Sequence, residues 1–366
     1  MITALLLAIF SILFLVVLHE LGHFFSARKF GVKAEEFGVG MPFTPAIFKK
    51  KIGETVYSFY PLLIGAFVRL LGEEKASEDP RSFNRQPVLK RIIIVGAGVV
   101  SSWVVAAAIL AFLGVTWGIP MAIDDDTNLP SGTTHVQITG IAPNSPAQNA
   151  GLQLGDIIQR IENKTKNQAV EPKTIKEITE FVNASKESEI MITVDKGRET
   201  KNIALVPRSQ PPVGEGAIGV QLSRVGYAKF AWYEAPYQGV VLTGKITVAI
   251  VSQTGQMIAQ KIRGDGPPLK DQIAGPVGMV SMLQNSLFVG PANFLYFVAQ
   301  IAIYLAIFNT LPIPALDGGR IVFLAIEGII RKPLPEKIIQ TMIIVSFLLL
   351  VPLIIWATFN DIQRIF

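Results

Sequence analysis

Residues 2–25, ITALLLAIFSILFLVVLHELGHFF, decide how this chain is read. The run carries no charge as far as Leu18. His19, Glu20 and His23 then arrive inside the same apolar stretch. As a helix it would be about 36 Å long, enough to cross the roughly 30 Å of hydrocarbon in a bilayer. Ionisable side chains in such a helix cost about 2.5 kcal/mol or more each when unpaired, so these three call for partners. No Lys or Arg precedes Arg28, and no small-residue cleavage pattern follows the apolar run. The segment is therefore expected to be retained as a span and not removed as a signal peptide.

Composition agrees with several spans. Of 366 residues half are hydrophobic and only 17% are charged, with a mean hydropathy of +0.44, outside the ordinary soluble range. Residues 92–119, 294–311 and 338–359 are further stretches long and apolar enough to span, the last with Pro352 as an expected kink. The net charge of +5 does not point to nucleic acid, because the basic residues cluster beside apolar segments and no nucleic-acid-reading motif is present. Twelve Lys and Arg lie in residues 28–91, which the positive-inside rule places in the cytoplasm. Asp124, Asp125 and Asp126 then fall outside, and Arg320, Arg331, Lys332 and Lys337 inside. The absence of cysteine excludes disulfides, thiolate catalysis and thiolate zinc sites.

Residues 133–208 read as a small α/β domain outside the membrane. Alternating runs at 135–141, 157–161, 189–194 and 202–206 predict strands. Residues 174–182 have helical spacing, with Thr174 placed to cap toward Glu177. Residues 226–290 form an amphipathic region. Lys245 interrupts its best apolar run, so it is expected on the membrane surface and not across it.

His19-Glu20-Leu21-Gly22-His23 has the spacing H-E-x-x-H. Residues four apart share a helix face, so both imidazoles can bind one zinc ion, with Glu20 beside it as general base. A catalytic zinc usually takes three protein ligands and keeps one open position. With no cysteine and His135 in the outer domain, the third ligand is expected to be a carboxylate, and Asp317 is the best candidate. The alternative for Asp317 is a turn residue that caps the next helix. Asp317 follows Pro312 and Pro314, which break the third span and leave backbone tolerated at membrane depth only beside a cavity or buried in protein. Gly318 and Gly319 after it are expected to permit a tight turn. His23 precedes Arg28 by five residues and Asp317 precedes Arg320 by three, so both sit at similar depth near the cytoplasmic boundary.

These residues resemble the site-2 protease family of intramembrane zinc metalloproteases (peptidase M50), in particular its bacterial group like the regulator-of-sigma-E protease with one PDZ domain. The match runs from H-E-L-G-H at 19–23, through 141–147 and 150–158 of the PDZ-like middle, to Asn309-x-x-Pro-x-Pro-x-Leu-Asp-Gly-Gly ending at Gly319. The resemblance implies a fold of four transmembrane helices, a cytoplasmic membrane re-entrant β-hairpin within 57–73, and an inserted extracytoplasmic α/β PDZ domain. It implies one Zn2+ per chain on His19, His23 and Asp317, with Glu20 as catalytic base. It also implies substrate binding by Asn309, Gly65 and Phe67, the hairpin offering its edge to an unwound substrate. Ala66 and Phe67 stand where the family has Gly and Tyr. In 96–102, Val99 and Ser102 replace the Pro and Asn of the family's G-P-x-x-N, so any hydrogen bond the Asn makes either comes from Ser102 or is absent, while Gly96 and Gly98 still allow close helix approach. Gly275-Pro276-Val277-Gly278 fits the family.

The activity implied is cleavage within or beside the membrane segments of single-pass proteins, pre-trimmed by another protease. It would serve regulated intramembrane proteolysis such as anti-sigma factor cleavage, or clearance of signal-peptide remnants. The expected location is the bacterial inner membrane, with the N-terminus and PDZ domain extracytoplasmic and the active site near the cytoplasmic side. The other partners are the bilayer and a peptide or C-terminus at the PDZ domain. An inactive membrane-anchored PDZ scaffold is the alternative, disfavoured by Glu20. A metal transporter is disfavoured by second and fourth spans nearly devoid of ionisable groups.

Overall fold

A computed structural model describes residues 2–63, 65–73, 75–125, 134–195, 200–212, 214–264 and 274–365. Ile64 of the expected hairpin, Asp126 and the domain start at Thr133 lie outside the described residues. Four helices among them are long and apolar enough to cross a membrane: α1 (Ile2–Lys29), α2 (Val88–Val115), α7 (Pro291–Thr310) and α9 (Glu336–Ile365). Each covers an expected span and extends or trims it by a few residues. On α9, Leu348 and Leu349 are 68% and 71% exposed, a surface that lipid and not water would cover. Together the spans and sheets make this a membrane protein with β-structure outside its helices.

The chain divides into two compact units. One comprises Met1–Ile109, Gly239–Ser281 and Val298–Phe366, and the other Leu110–Gln238 and Met282–Phe297. In the first unit a four-stranded sheet follows α1, built from β1 (Ala34–Val39), β2 (Phe48–Ile52), β3 (Thr55–Phe59) and β4 (Ala66–Leu70) in the order β2-β3-β1-β4. The expected hairpin between the runs at 57–59 and 66–70 is therefore corrected. Both runs are strands, but each pairs with β1, β3 in parallel and β4 antiparallel. The hairpin lies instead between β2 and β3, closed at Gly53 with φ 63°.

Glu36 shows why β1 takes the middle. Its buried carboxylate accepts hydrogen bonds from Ser58 and Tyr60 on the β3 side and from Arg69 of β4 at 2.8 Å. Burial opposes ionisation here, yet those hydroxyls with Lys49 and Arg69 hold the Glu36 carboxyl below its ordinary range. A carboxylate satisfied from both sides fixes both neighbours. Phe24 and Ala27 of α1, Phe37, Leu70, Phe83, and Ile94 and Val95 of α2 form one apolar core against this sheet.

The same unit holds α5 (Ala235–Ile262) from Gly239 onward, which covers Lys245 and is not among the four spanning candidates. It also holds α8 (Asp317–Ile330), whose buried Glu327 pairs with Arg91 of α2 at 2.9 Å. The motif at 275–278 opens α6 (Pro276–Val289). The buried Asp361 of α9 accepts there from the Gly275 N–H at 3.1 Å and the Gly278 N–H at 2.7 Å, satisfying donors that a helix start leaves open.

In the second unit, β5 (Ile119–Ala122), β6 (Thr134–Ile141), β7 (Ile157–Asn163), β9 (Ile190–Asp195), β10 (Thr200–Leu205) and β11 (Val220–Ala228) form a sheet in the order β10-β9-β7-β6-β11-β5, with β8 (Gln168–Val170) on β7. The four strands expected from alternation are β6, β7, β9 and β10. Between β6 and β7 runs the short α3 (Pro146–Asn149), started by Ser145, whose hydroxyl accepts from the Gln148 N–H. The expected helix is α4 (Ile175–Ala184), with the Thr174 hydroxyl accepting from the Glu177 N–H at 3.2 Å. Its Ile178 and Val182 pack on Val136, Ile138, Ile158, Ile161, Ile190 and Ile192.

Candidate metal centre

The histidines of α1 lie one turn apart, and residues 311–316 bring the first residue of α8 to them. His19 Nε2 is 3.1 Å from Asp317 Oδ2, His23 Nε2 is 3.3 Å from the same oxygen, and the two Nε2 atoms are 3.3 Å apart. Four ligands at zinc bond lengths of about 2.0–2.1 Å in a tetrahedron stand about 3.3 Å from one another. The three donor atoms thus have the mutual spacing of three corners of a zinc tetrahedron, and the three residues line one cavity. Glu20 also offers a carboxylate oxygen within 4.8 Å of the histidine nitrogens.

Each imidazole is oriented from behind. His23 Nδ1 lies 3.0 Å from the carbonyl oxygen of Ile94, which can only accept, so Nδ1 carries the proton and Nε2 is left as an acceptor that could bind a metal ion. His19 Nδ1 lies 3.0 Å from Ser102 Oγ, and that hydroxyl is also 3.2 Å from the Gly98 carbonyl oxygen. Ser102 thus donates to Gly98 and accepts from His19, giving His19 the same tautomer. Of the two outcomes open for this position, Ser102 does make a hydrogen bond, to the far side of His19 from Asp317.

Glycines set how closely α1 and α2 approach. A Cβ on Gly98 would lie 2.2 Å from His23 Nε2 and 2.8 Å from His19 Nε2, inside the site itself. A Cβ on Gly22 would meet the Ala97 carbonyl oxygen at 2.4 Å. Gly96, expected to share this role, has open room, its nearest neighbour being Ile321 Cδ1 at 3.9 Å. Gly318 and Gly319 are corrected too. They sit inside α8 without positive φ, and do not form a tight turn. A Cβ at either would strike backbone carbonyl oxygens of residues 310, 311 or 313 at 2.2–2.4 Å, so they let the proline-containing loop fold back onto the helix start. Asp317 does not cap α8. Leu316 holds the cap position, and the Asp317 carboxylate turns to the histidines.

The cavity beside the three donor atoms has a volume of about 300 Å³. Glu20, Phe67, Val68, Leu70, Leu305, Asn309 and Arg320 are among its lining residues. Asn309 Nδ2 donates to Leu305 O in its own helix at 2.9 Å. Gly65 does not line the cavity. It sits just before β4 with φ 96°, and its carbonyl accepts from the Gly40 N–H at 2.8 Å. Phe67 lies over Gly38, where a Cβ would come within 2.3 Å of its ring. Sequence reading missed Gly22, the Ile94 carbonyl, and the ion pair of Glu73 with Arg320 at the cavity wall. Gly22 was visible inside the motif as a small residue, whereas a backbone carbonyl leaves no mark in a sequence.

Comparison with known proteins agrees with this geometry. The profile of peptidase family M50 matches residues 7–353. A candidate zinc metalloprotease of Clostridium perfringens is 33% identical over 350 residues, covering 95% of each chain. The regulator of sigma-W protease RasP of Bacillus subtilis is 28% identical over 435 aligned positions, covering 96% of each chain. The zinc metalloprotease RasP of Bacillus licheniformis is also 28% identical, covering 96% of this chain and 97% of its own. With a family profile that spans nearly the whole chain and donor atoms spaced for a zinc tetrahedron, the chain belongs to peptidase family M50, the site-2 proteases, and is a zinc metalloendopeptidase of that type.

Proposed function

We propose that this protease hydrolyses peptide bonds within or beside the transmembrane segments of single-pass membrane proteins already trimmed by another protease. Its products would serve regulated proteolysis, as in anti-sigma factor cleavage, or the clearance of signal-peptide remnants. The observation that carries the reading is the meeting of His19, His23 and Asp317 within 3.1–3.3 Å, on elements that include a helix apolar enough to span the bilayer. In this reading His19, His23 and Asp317 hold the zinc ion. Bound there, zinc supplies a Lewis acid and a water whose pKa falls to about 7. Glu20 takes the proton of the attacking water at its carboxylate and returns it to the leaving amine.

A helical substrate hides its carbonyls in hydrogen bonds and must unwind before it is cut. β4 is the outermost strand of its sheet, and Phe67, Val68 and Leu70 line the cavity. Among the described residues no strand pairs with its outer edge, and such an edge suits an unwound segment added as a further strand. Asn309 holds the substrate near the metal, and Gly65 starts the strand that receives it. Residues 133–208, extended by β11, act as a PDZ domain that selects substrates by peptide or C-terminus binding. The charge pattern puts residues 28–91 and the active site on the cytoplasmic side of a bacterial inner membrane, with the N-terminus and PDZ domain outside. The three relatives named above are bacterial proteins.

The test is a tagged single-pass substrate reconstituted with the protease in liposomes. Glu20→Gln should keep its zinc and lose cleavage, and Asp317→Asn should lower zinc content. Undiminished cleavage by Glu20→Gln would remove Glu20 from its role, and unchanged zinc in Asp317→Asn would move the third ligand elsewhere.

A further inference from the structure

Within the second unit, the chain lays a piece of itself along β11. β5 pairs antiparallel with it in the register Ile119↔Ala228, Pro120↔Tyr227, Met121↔Gly226 and Ala122↔Val225. The ladder continues with the Ile123 N–H donating to the Arg224 carbonyl at 2.9 Å. α4 packs against the same β11. Two residues further on, Asp125 reaches the start of α4, where Oδ1 accepts from the Ile175 N–H and Oδ2 from the Lys176 N–H, each at 3.0 Å. Arg224, only 6% exposed, donates from Nη1 to the carbonyl oxygens of Asp124 and Asp125, both at 2.9 Å. A strand, a helix start and a buried guanidinium thus converge on a seven-residue segment.

This is the geometry of strand addition, in which main-chain bonds to a sheet edge give affinity and a few side-chain contacts give selectivity. We infer that residues 119–125 are the internal occupant of a peptide-binding site formed by β11, α4 and Arg224, and that the outside ligand of this site is an extended peptide with a carboxylate just past its paired residues. The inference rests on the PDZ part of the proposed function and says what that domain would take.

The chemistry of selection follows from the occupant. A helix start leaves backbone donors open and favours negative charge. At α4 the Thr174 hydroxyl takes the Glu177 N–H, and Asp125 takes the two before it. An incoming peptide without a carboxylate would leave Ile175 and Lys176 without acceptors. The occupant is also weak enough to be displaced, because β5 is four residues long and includes Pro120, which lacks an N–H and is tolerated only at an edge. Tethering sets its effective concentration near the millimolar range for a short linker, so outside peptides compete at a disadvantage until β5 lets go.

The chain has no cysteine, which makes a lock clean to build. Facing Cα atoms in an antiparallel pair stand about 4.5–5.5 Å apart, within disulfide reach, so Ala122→Cys with Val225→Cys can fix β5 in place. The probe is a fluorescein-labelled heptapeptide copying residues 119–125, titrated into full-length protein in detergent micelles and followed by anisotropy. A Glu20→Gln background keeps cleavage out of the readout and separates this outcome from that of the protease assignment. Ile123→Pro with Asp125→Ala, which releases the internal segment, should bind the probe at least tenfold more tightly than the parent. The oxidised lock should not bind it, and reduction should restore the parent's behaviour. A probe with both aspartates changed to alanine should lose at least tenfold. Equal binding by parent, released and locked proteins would overturn the inference, as would failure of the released protein to bind. Equal affinity for the alanine probe would overturn the carboxylate selection. If the released variant no longer melts cooperatively, the redox dependence of the locked protein decides by itself.

Discussion

His19 and Ser102, eighty-three residues apart in the chain, meet at 3.0 Å between Nδ1 and Oγ on the side of the imidazole away from Asp317. The contact fixes the tautomer that leaves Nε2 as the acceptor facing Asp317, as the proposed zinc ligation requires. Groups behind a zinc ligand typically contribute 10–100-fold to metal affinity. Ser102→Ala should therefore raise the zinc dissociation constant by about 10–100-fold while leaving helix content unchanged, read by competition with a chelator and by circular dichroism. Ser102→Asn, which restores an acceptor, should recover most of the loss. Equal zinc affinity in the wild type and Ser102→Ala would show that the hydroxyl does not orient His19.

Gly98 and Gly96, two residues apart on α2, point to different sides of the helix and differ in the room around them. A methyl at Gly98 would enter the space between the imidazoles, and one at Gly96 would meet ordinary van der Waals distance. Gly98→Ala should lose zinc and activity almost completely. Gly96→Ala should stay within about 0.5 kcal/mol of wild-type stability and keep its metal. Zinc content by elemental analysis, with thermal melts of both variants, checks the contrast.

The Glu73–Arg320 ion pair joins the turn after β4 to the helix that begins with Asp317. Glu73 is 15% exposed and Arg320 43% exposed, so solvent screens the pair only in part. Breaking it should loosen β4 relative to the metal ligand and misplace a bound strand. Glu73→Ala and Arg320→Ala are each expected to lower kcat/KM about tenfold, mostly through KM, with zinc content intact. The exchanged pair Glu73→Arg with Arg320→Glu should regain part of the loss. If the double exchange is worse than both single alanines combined, the pairing is not what matters.

Glu36 predicts a pH dependence. Its folded carboxyl lies below the ordinary value of 4.5, so the folded state favours the ionised form. Stabilisation of the four-stranded sheet is then fully present above that ordinary value and is lost as pH falls through the lower folded one. Hydrogen exchange at β1 and β4 should stay slow from neutral pH to about 5 after correction for intrinsic rates, then accelerate on further acidification. Glu36→Gln should exchange faster at neutral pH and show no such acid transition. An acid transition of the same size in the Gln variant would place the titrating group elsewhere.

Much of the architecture was legible because it depends on near neighbours. Length and hydropathy alone mark the four helices, since spanning hydrocarbon requires uninterrupted apolar residues. The four-residue spacing of His19 and His23 puts two ligands on one helix face wherever that helix ends up. Alternation gave β6, β7, β9 and β10, and Thr174 capped the helix it was expected to cap. β5 escaped notice because it is short and contains a proline, and β1 because its alternation is broken by a buried Glu36.

The sequence by itself determined that apolar helices would carry H-E-x-x-H, and it offered Asp317 as the carboxylate to complete a zinc site. Only the tertiary structure decided that Asp317 reaches His19 across 298 residues, that Ile94 and Ser102 stand behind the imidazoles, that β1 separates β3 from β4, and that β5 lies along β11. The physical reason is that helix periodicity and hydropathy are summed over adjacent residues. A ligand's third partner, a strand's neighbour and the room for a glycine are fixed by side chains and carbonyls that meet only after the chain has packed.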